Sequence, residues 1–536
     1  MNSMDRFDYI IVGGGTAGCI LAARLSEDPR RSVLLLEAGG SGKGFWVPIP
    51  AGFSKLLSGS AFNWRFNTEP EPNTYDRPIV VPRGKGLGGS TLINGMIFVR
   101  GQPQDFDGWA QRGATGWGWD EVLPYFKKLE TFDAPDRDDT LRGTSGPISI
   151  VRVAERPALS EAFIAAAQEA GFARNPDYNG ATQDGFGYYQ VNQRAGRRWT
   201  VADGYLRPAL SRLNLKVITN AQVLRLVLEG RRATGVVFRR EGTEETAHAN
   251  GEVLLTAGAV QSPHLLELSG IGHPEVLRAA GIPVVHALTG VGNNYQDHFA
   301  TRMNWRVKLP VTLNEQTRGL ALTRAVAQYF LTRTGILTLG TGLAHGFVKT
   351  RPELEGPDVQ YFFMHASYAN AADRALDRMP GMTIGVTQMR PQSVGSIHAK
   401  SADPMAAPAI RPNFLDARED RDCLVAGMRI ARRIVEQPAL DPYRAFEMNP
   451  GPQVESDADF LEFARRTGQT IYHPVGTCSM GTGPEAVVDP HLRVRGIEGL
   501  RVVDAAVMPT IVSANTAAAV MMIAEKAADL VKADAR

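Results

Sequence analysis

A glycine-rich turn between a short apolar run and a helical pattern stands at the start of the chain. Residues 8–28 read DYIIVGGGTAGCILAARLSED and contain the spacing Gly13-x-Gly15-x-x-Gly18. A second apolar run, SVLLLE, ends at Glu37, about 20 residues further on. Here Gly13 allows a tight turn, Gly15 lets the backbone approach a pyrophosphate, and Gly18 lets helix and strand pack closely. The pattern predicts a strand–turn–helix–strand unit that binds a dinucleotide, and leaves open whether it carries nicotinamide or flavin.

Size and charge exclude several classes of protein. The chain has 536 residues, 43% of them hydrophobic, which is enough for more than one core because single cores stop growing near ~250–300 residues. The net charge is only +2 and no basic run occurs, so nucleic acid is not an expected partner. The three cysteines Cys19, Cys423 and Cys478 have neither disulfide nor zinc-ligand spacing. We expect a cytoplasmic protein without a metal site.

The sequence contains no pattern expected of a membrane span or a secretory leader. The longest purely apolar run, 517–524, is far shorter than the ~20 residues that cross a bilayer. The N-terminal residues lack the basic and apolar regions of a leader. A peripheral membrane contact stays open.

Two further segments are rich in glycine. Residues 81–96 read VPRGKGLGGSTLINGM, a glycine density that is costly in a regular element and typical of backbone lying against a ligand. Residues 258–272, GAVQSPHLLELSGIG, follow the apolar run EVLLTAG and predict a turn, an apolar helix and another glycine turn.

These segments resemble the two signatures of the glucose–methanol–choline (GMC) flavoprotein oxidoreductases. The similarity continues in GVGNNYQDH (290–298), HPVGTCSMG (473–481) and VVDAAVMPT (502–510). It extends from about Asp8 to Leu530 and is weakest between roughly 305 and 385. The resemblance implies FAD as the cofactor and bacterial sorbose, choline and related alcohol dehydrogenases as the nearest group.

The resemblance also implies an α/β fold with two domains. A Rossmann-like FAD-binding domain, of the type found in p-hydroxybenzoate hydroxylase, comprises 1–155, 215–305 and 460–536. A discontinuous α+β substrate domain comprises 156–214 and 306–459. Within it, DVQYFFMH (358–365) and GMTIGVTQMRP (381–391) alternate enough to predict an antiparallel sheet above the site. The glycine-containing segment 332–346 is a candidate loop at the pocket mouth.

A set of residues is implied to contact FAD. Glu37 would bind the adenosine ribose, Val223 the adenine, and the segment after Arg83 the pyrophosphate and the ring. Ile93 stands where some relatives carry the histidine that bonds covalently to FAD, so non-covalent binding is implied. The full set is Gly13, Gly15, Thr16, Ala17, Gly18, Glu37, Ala38, Arg83, Gly88, Gly89, Ser90, Asn94, Gly95, Met96, Ile97, Val223, Ala257, Tyr472, Asp504, Ala505 and Thr516.

His473 and Asn515 are the implied catalytic pair. A neutral imidazole can take the hydroxyl proton of an alcohol, and a carboxamide can donate to the developing alkoxide. The helix after Asn515 would place its positive N-terminal end near the flavin. Ala517 replaces the second asparagine usual in the family, which removes one polar group from this region.

The expected reaction is FAD-dependent oxidation of an alcohol, with electrons passed to a quinone or another non-oxygen acceptor. An oxidase that forms hydrogen peroxide, for instance from aryl or furanic alcohols, is the first alternative. A hydroxynitrile lyase, a photodecarboxylase and a non-enzymatic flavin-binding module are less favoured. The photodecarboxylase branch lacks the catalytic pair and carries cysteine where this chain has Met389. The alcohol, the acceptor and the oligomeric state stay open.

Overall fold

The computed structural model describes residues 6–370 and 375–534. Its α-helices are α1 Thr16–Leu25, α2 Phe53–Ser58, α3 Pro103–Gln111, α4 Trp119–Leu129, α5 Ala158–Glu169, α6 Arg207–Ala209, α7 Gly258–Leu268, α8 Pro274–Ala279, α9 Leu313–Gln316, α10 Gly319–Thr332, α11 Arg418–Val435, α12 Asp457–Thr467 and α13 Ala517–Asp534.

The strands are β1 Arg6–Val12, β2 Val33–Leu36, β3 Phe66–Asn67, β4 Val80–Val81, β5 Glu130–Phe132, β6 Ile148–Arg152, β7 Gly185–Tyr188, β8 Gln190–Arg194, β9 Arg197–Arg198, β10 Leu215–Ile218, β11 Ala221–Glu229, β12 Arg232–Arg240, β13 Thr243–Leu255, β14 Ile271–Gly272, β15 His286–Ala287, β16 Phe299–Val307, β17 Ala344–Val348, β18 Val359–Met364, β19 Tyr368–Asn370, β20 Ala375–Leu376, β21 Gly381–Gln388, β22 Ser396–His398, β23 Ala409–Arg411, β24 Arg444–Asn449, β25 Gln469–Thr470 and β26 Leu500–Val502.

The first sheet contains the predicted dinucleotide unit. Its strand order is β10-β2-β1-β13-β12-β11, with β26 beside β13. Strands β10, β2, β1, β13 and β26 run parallel, whereas β11 and β12 form an antiparallel extension. The parallel strands β1, β2 and β13 are apolar and buried at their C-terminal ends, as expected of a sheet covered by helices, and α1 packs against α13. The predicted strand, turn and helix at 9–25 are therefore present.

The second sheet is antiparallel and has the order β24-β16-β21-β18-β17-β7, with β25 beside β16. Val359 pairs with Gln388 in the β18–β21 ladder, as the alternating pattern of these two runs predicts. Helix α11 packs on this sheet and buries Leu424, Met428 and Ala431. The mixture of parallel and antiparallel sheets confirms the predicted fold class.

Each of the two sheets has its own large apolar core. Strand β16 spans the predicted domain boundary at 305 and lies wholly in the second sheet. The exact boundaries of the two domains stay a prediction. The candidate site lies between the two sheets and is lined by residues from both.

Candidate active site

An elongated cavity runs from the glycine turn of the first sheet to the second sheet. Its two parts share Gly15, Gly89, Thr256 and Ala257 in their walls. Of the predicted FAD contacts, those that line it are Gly13, Gly15, Thr16, Ala17, Glu37, Ala38, Arg83, Gly89, Ser90, Asn94, Gly95, Met96, Ile97, Val223, Ala257, Tyr472, Asp504, Ala505 and Thr516.

Gly18 and Gly88 do not line the cavity. A Cβ at Gly18 would overlap the Gly13 carbonyl oxygen, so its role is close packing of α1 on β1. Gly88 has a φ of 111°, in the region that favours glycine, and its N–H donates to the Gly14 carbonyl at 2.8 Å. Both glycines thus position the residues that line the cavity without lining it themselves.

Glu37 holds three glycine segments together at one end of the cavity. Its buried carboxylate accepts from the N–H groups of Gly14, Gly39 and Gly86 at 2.7–2.9 Å. Burial raises the pKa of this carboxyl, against those three hydrogen bonds. The same side chain lines the part of the cavity that contains Val223, the residue predicted to meet the adenine.

The segment after Arg83 forms the floor of the cavity. Gly89 approaches Gly15 so closely that a Cβ there would lie 2.6 Å from the Gly15 Cα. The buried Arg198 guanidinium clamps Asn94 by donating to its carbonyl and its side-chain oxygen at 2.7 and 2.8 Å. Ile93 also lines the cavity, where its alkyl side chain can form no bond to a ring.

Asp504 joins the end of β26 to α7. Its buried carboxylate accepts from Gly258 N, Ser262 Oγ and Ala506 N at 2.6–2.8 Å. Burial raises the pKa of the Asp504 carboxyl. This clamp sets the position of Ala505 at the cavity wall.

His473 and Asn515 lie side by side at the other end of the cavity. His473 Nε2 is 3.1 Å from Asn515 Nδ2. The residue before each of them has a left-handed backbone, with φ of 75° at Tyr472 and 125° at Ala514, which is uncommon outside glycine. Asp297 holds the first loop by accepting from the N–H of His473 at 2.8 Å. The two predicted catalytic side chains are therefore adjacent.

The hydrogen-bond partners of His298 define the tautomer of His473. His298 Nε2 lies 3.0 Å from the Met389 carbonyl, which only accepts, so Nε2 carries the His298 proton. His298 Nδ1 is then an acceptor, and it lies 3.0 Å from His473 Nδ1. The His473 proton is consequently on Nδ1, and Nε2 presents a lone pair to the cavity.

A second chain of hydrogen bonds orients the Asn515 carboxamide. Tyr189 Oη donates to the Tyr361 carbonyl at 2.9 Å and so accepts from Gln360 Nε2 at 3.0 Å. Gln360 Nε2 also donates to Asn515 Oδ1 at 3.2 Å. The Asn515 NH₂ group therefore faces His473 Nε2, in agreement with the tautomer deduced from His298.

Burial keeps both histidines neutral. It lowers the pKa of His473 well below the ordinary 6.5, and repulsion from His298 and Arg83 adds to the effect. Burial lowers the pKa of His298 to about 4. A neutral imidazole is the form that accepts a proton.

The roof above the pair is a patch of the second sheet. Gly385 of β21 pairs with Phe362 of β18 on one side and with Arg302 of β16 on the other. Residues two positions away on the same strands point to the same face of the sheet. A Cβ at Gly385 would make only an ordinary contact with Phe362, at 3.5 Å. The remaining roof residues are Ala300, Met364 and Thr383.

Several site residues were not predicted from the sequence. His298 contacts His473. Gln360 contacts Asn515 from the part of the chain where the family resemblance is weakest, and Tyr189 accepts a hydrogen bond from Gln360. These residues are recognised only by contacts between distant parts of the chain, which a sequence motif does not contain. His345 and His365 are buried outside the cavity. Thr341, in the predicted mouth segment, lines the cavity.

The chain belongs to the GMC oxidoreductase family. The family's N-terminal model matches residues 7–300 and its C-terminal model residues 391–524. The N-terminal match contains the three glycine segments, and the C-terminal match contains the two loops that carry His473 and Asn515. The predicted family is thus confirmed.

Similar proteins cover almost the whole chain. An alcohol dehydrogenase [acceptor] of Pseudomonas putida is 40% identical over 98% of this chain and 95% of its own length. An oxygen-dependent choline dehydrogenase of Chromohalobacter salexigens is 42% identical over 99% and 96%. Among solved structures, pyridoxine 4-oxidase from Mesorbium loti has a TM-score of 0.89, 32% identity and coverage of 98% and 99%. An Aspergillus oryzae formate oxidase variant reaches 0.92 with 26% identity and coverage of 100% and 99%.

Enzymes of this family are FAD-dependent flavoproteins, and the cavity fits that cofactor. Space is open at Gly15, where the nearest atoms to a Cβ would be 3.8 Å away, beside the N-terminus of α1. The first N–H groups of a helix have no partner within it and suit a pyrophosphate. In residues 6–370 and 375–534, no group of side chains suits a metal ion and no helix is long and apolar enough to cross a bilayer.

Proposed function

We propose that this chain oxidises the CH–OH group of an alcohol to an aldehyde or ketone, with His473 as the base and Asn515 as the hydrogen-bond donor. The observation that carries the proposal is the 3.1 Å pairing of the unprotonated His473 Nε2 with the Asn515 NH₂ group. An acceptor and a donor side by side match the two needs of a hydroxyl group, which must lose a proton while its oxygen gains charge.

The alcohol oxygen binds between the two side chains. Its O–H donates to His473 Nε2 and its lone pair accepts from Asn515 Nδ2–H, so the hydroxyl replaces the direct contact between them. His473 takes the proton as the C–H bond breaks, and the carbon becomes a carbonyl. FAD, when bound, supplies the acceptor for the hydride. Because burial opposes the imidazolium, His473 then holds its second proton weakly.

The Asn515 carboxamide acts in one orientation only. If it were reversed, its oxygen would face His473 Nε2 and repel both that lone pair and the forming alkoxide. Gln360 prevents this by donating to Oδ1. Substrate orientation therefore depends on a strand of the second sheet.

A quinone or another non-oxygen compound is the proposed electron acceptor. The relative named alcohol dehydrogenase [acceptor] supports this choice. Two solved neighbours named as oxidases support the second candidate, an alcohol oxidase that forms hydrogen peroxide.

Anaerobic mixing tests both the oxidation of an alcohol and the proposed electron acceptor. FAD-loaded protein is mixed with a panel of alcohols while the yellow absorbance is followed, and then oxygen or a quinone is added. Bleaching by an alcohol and recovery with quinone support the proposal. Recovery with air at the same rate favours the oxidase. An absence of bleaching, with cyanohydrins cleaved, would indicate a lyase.

A further inference from the structure

Helix α10 exposes an apolar face instead of burying it. Tyr329 is its only buried residue, whereas Leu331 is 84% and Leu320 66% exposed. Residues 320, 327 and 331 share a face because helical neighbours recur every three to four residues, and this face lies opposite Tyr329. A surface helix normally has the reverse arrangement.

Two aromatic residues from another segment extend this face. Phe45 and Trp46 are 65% and 43% exposed, and the Phe45 ring stacks on Phe330 at 6.3 Å. The Tyr329 hydroxyl donates to the Pro48 carbonyl at 3.4 Å and ties the two segments together. We call this surface the apolar ridge; its members are Phe45, Trp46, Leu320, Val326, Phe330 and Leu331.

Positive charge surrounds the apolar ridge. Arg324 lies on the exposed face of α10 itself, four residues after Leu320, while Lys43 is exposed two residues before Phe45 and Arg197 is exposed near Tyr329. The Arg333 guanidinium lies over the Tyr329 and Phe330 rings. The three contributing segments, 38–68, 185–202 and 316–352, contain no aspartate or glutamate. The carboxylate of Glu155 accepts from the Gly335 N–H just after α10.

We infer that the apolar ridge is a contact surface for an anionic phospholipid bilayer. Leucine and phenylalanine on a helix face, an interfacial tryptophan and flanking arginines are the features that hold a helix in the plane of a lipid surface. Phosphate headgroups supply the negative charge that the surrounding segments lack. A second copy of the chain fits less well, because a two-fold interface would bring the same arginines face to face.

The contact is close to the catalytic cavity. A short 3-10 turn, Ile336–Thr338, follows α10, and Thr341 then lines the cavity beside Gly95. The inference does not depend on the proposed reaction, since lipid binding needs no turnover.

Vesicle flotation of the FAD-loaded protein tests the inference. We expect binding to phosphatidylcholine vesicles that contain phosphatidylglycerol, and at least about tenfold weaker binding of the triple variant Leu320→Gln, Phe330→Gln, Leu331→Gln. The double variant Arg197→Gln, Arg324→Gln should lose about fivefold per arginine, and only on the anionic vesicles. Leu213→Gln, Val394→Gln, Met405→Gln changes three exposed apolar residues elsewhere and should bind like the parent.

Flavin absorbance and melting temperature establish that each variant is folded. Failure of the parent protein to float, or equal binding by the ridge variant, would overturn the inference. Sedimentation velocity distinguishes the other occupant: a parent dimer that the ridge variant converts to monomer, without an effect on vesicles, assigns the ridge to a second copy.

Discussion

His473 is oriented by its neighbours before any substrate binds. The backbone N–H of His473 donates to Asp297, and its Nδ1–H donates to His298. The lone pair on Nε2 therefore points toward the Asn515 NH₂ group. Because the imidazole needs no rotation and no loss of a proton to act, little reorganisation accompanies proton transfer.

Substitution of the base tests this assignment. His473→Ala should lower the turnover number at least about a hundredfold, the usual contribution of a positioned base. FAD content should be unchanged, as judged by the yellow absorbance. His491→Ala, at an exposed histidine, should retain parental turnover. Parental turnover of fully loaded His473→Ala would refute the role of His473.

His298 is predicted to act as a positioning residue, and the pH profile reports on it. The neutral form of His473 is the proposed base, so a lowered pKa should keep kcat/KM on its plateau below pH 6.5, and activity should fall only as the pH drops through that lowered pKa. In His298→Ala, repulsion and desolvation of His473 both decrease, so the acidic limb should move to higher pH. We expect about tenfold lower turnover as well, from the lost hydrogen bond.

A conservative change separates positioning from packing. His298→Gln offers an amide oxygen to His473 Nδ1 and should recover part of the turnover. An unchanged acidic limb in His298→Ala, with lower activity, would show that His298 only packs.

At the scale of elements, the second sheet provides more than a cover. Strand β18 supplies Gln360 and the Tyr361 carbonyl, and Met389 follows β21 directly. Both chains of hydrogen bonds therefore end on backbone carbonyls of one sheet. A β-sheet is a rigid support for these two chains of hydrogen bonds, because its backbone carbonyls move little.

Gly385 leaves room in the roof between Phe362 and Arg302. Gly385→Leu should place a side chain in the cavity and lower kcat/KM for bulky alcohols at least about tenfold more than for small ones. Gly108→Leu, where no atom lies within 4 Å of an added Cβ, is the matched control. Equal losses for large and small alcohols would show that Gly385 does not limit substrate size.

At the scale of the whole molecule, buried histidines couple stability to pH. Burial lowers the pKa of His345 to about 3 and of His264, His298 and His365 to about 4. Between pH ~6.5 and ~4 the unfolded chain binds protons that the folded chain does not, so the free energy of unfolding falls as the pH falls. Each histidine contributes about 1.4 kcal/mol per pH unit.

Buried carboxyls with raised pKa values, such as Asp105 and Asp297, act in the opposite direction in the lower part of this range. Urea unfolding at pH 7 and pH 5 measures the slope. His345→Phe should reduce the pH dependence by about one proton. Identical slopes for the parent and His345→Phe would contradict the prediction.

The dinucleotide unit and the adjacency of the two proposed catalytic residues were predictable because their signals are local. The glycine spacing around Gly13 follows from the path of the backbone, and the loops carrying His473 and Asn515 retain family motifs. In contrast, Gln360 is an ordinary polar residue in an alternating strand, and the apolar face of α10 has the same composition as a buried helix. No local sequence pattern distinguishes a site residue from an ordinary strand residue, or an exposed apolar helix face from a buried one.

The sequence by itself determined the family, the cofactor class and the identity of the two predicted catalytic side chains, since each depends on residues close together in the chain. The tertiary structure alone decided which nitrogen of His473 carries its proton, which way Asn515 points, and which helix face meets solvent. Those properties depend on contacts with Met389, Tyr361 and Phe45, residues far away in sequence that come close only in the folded chain.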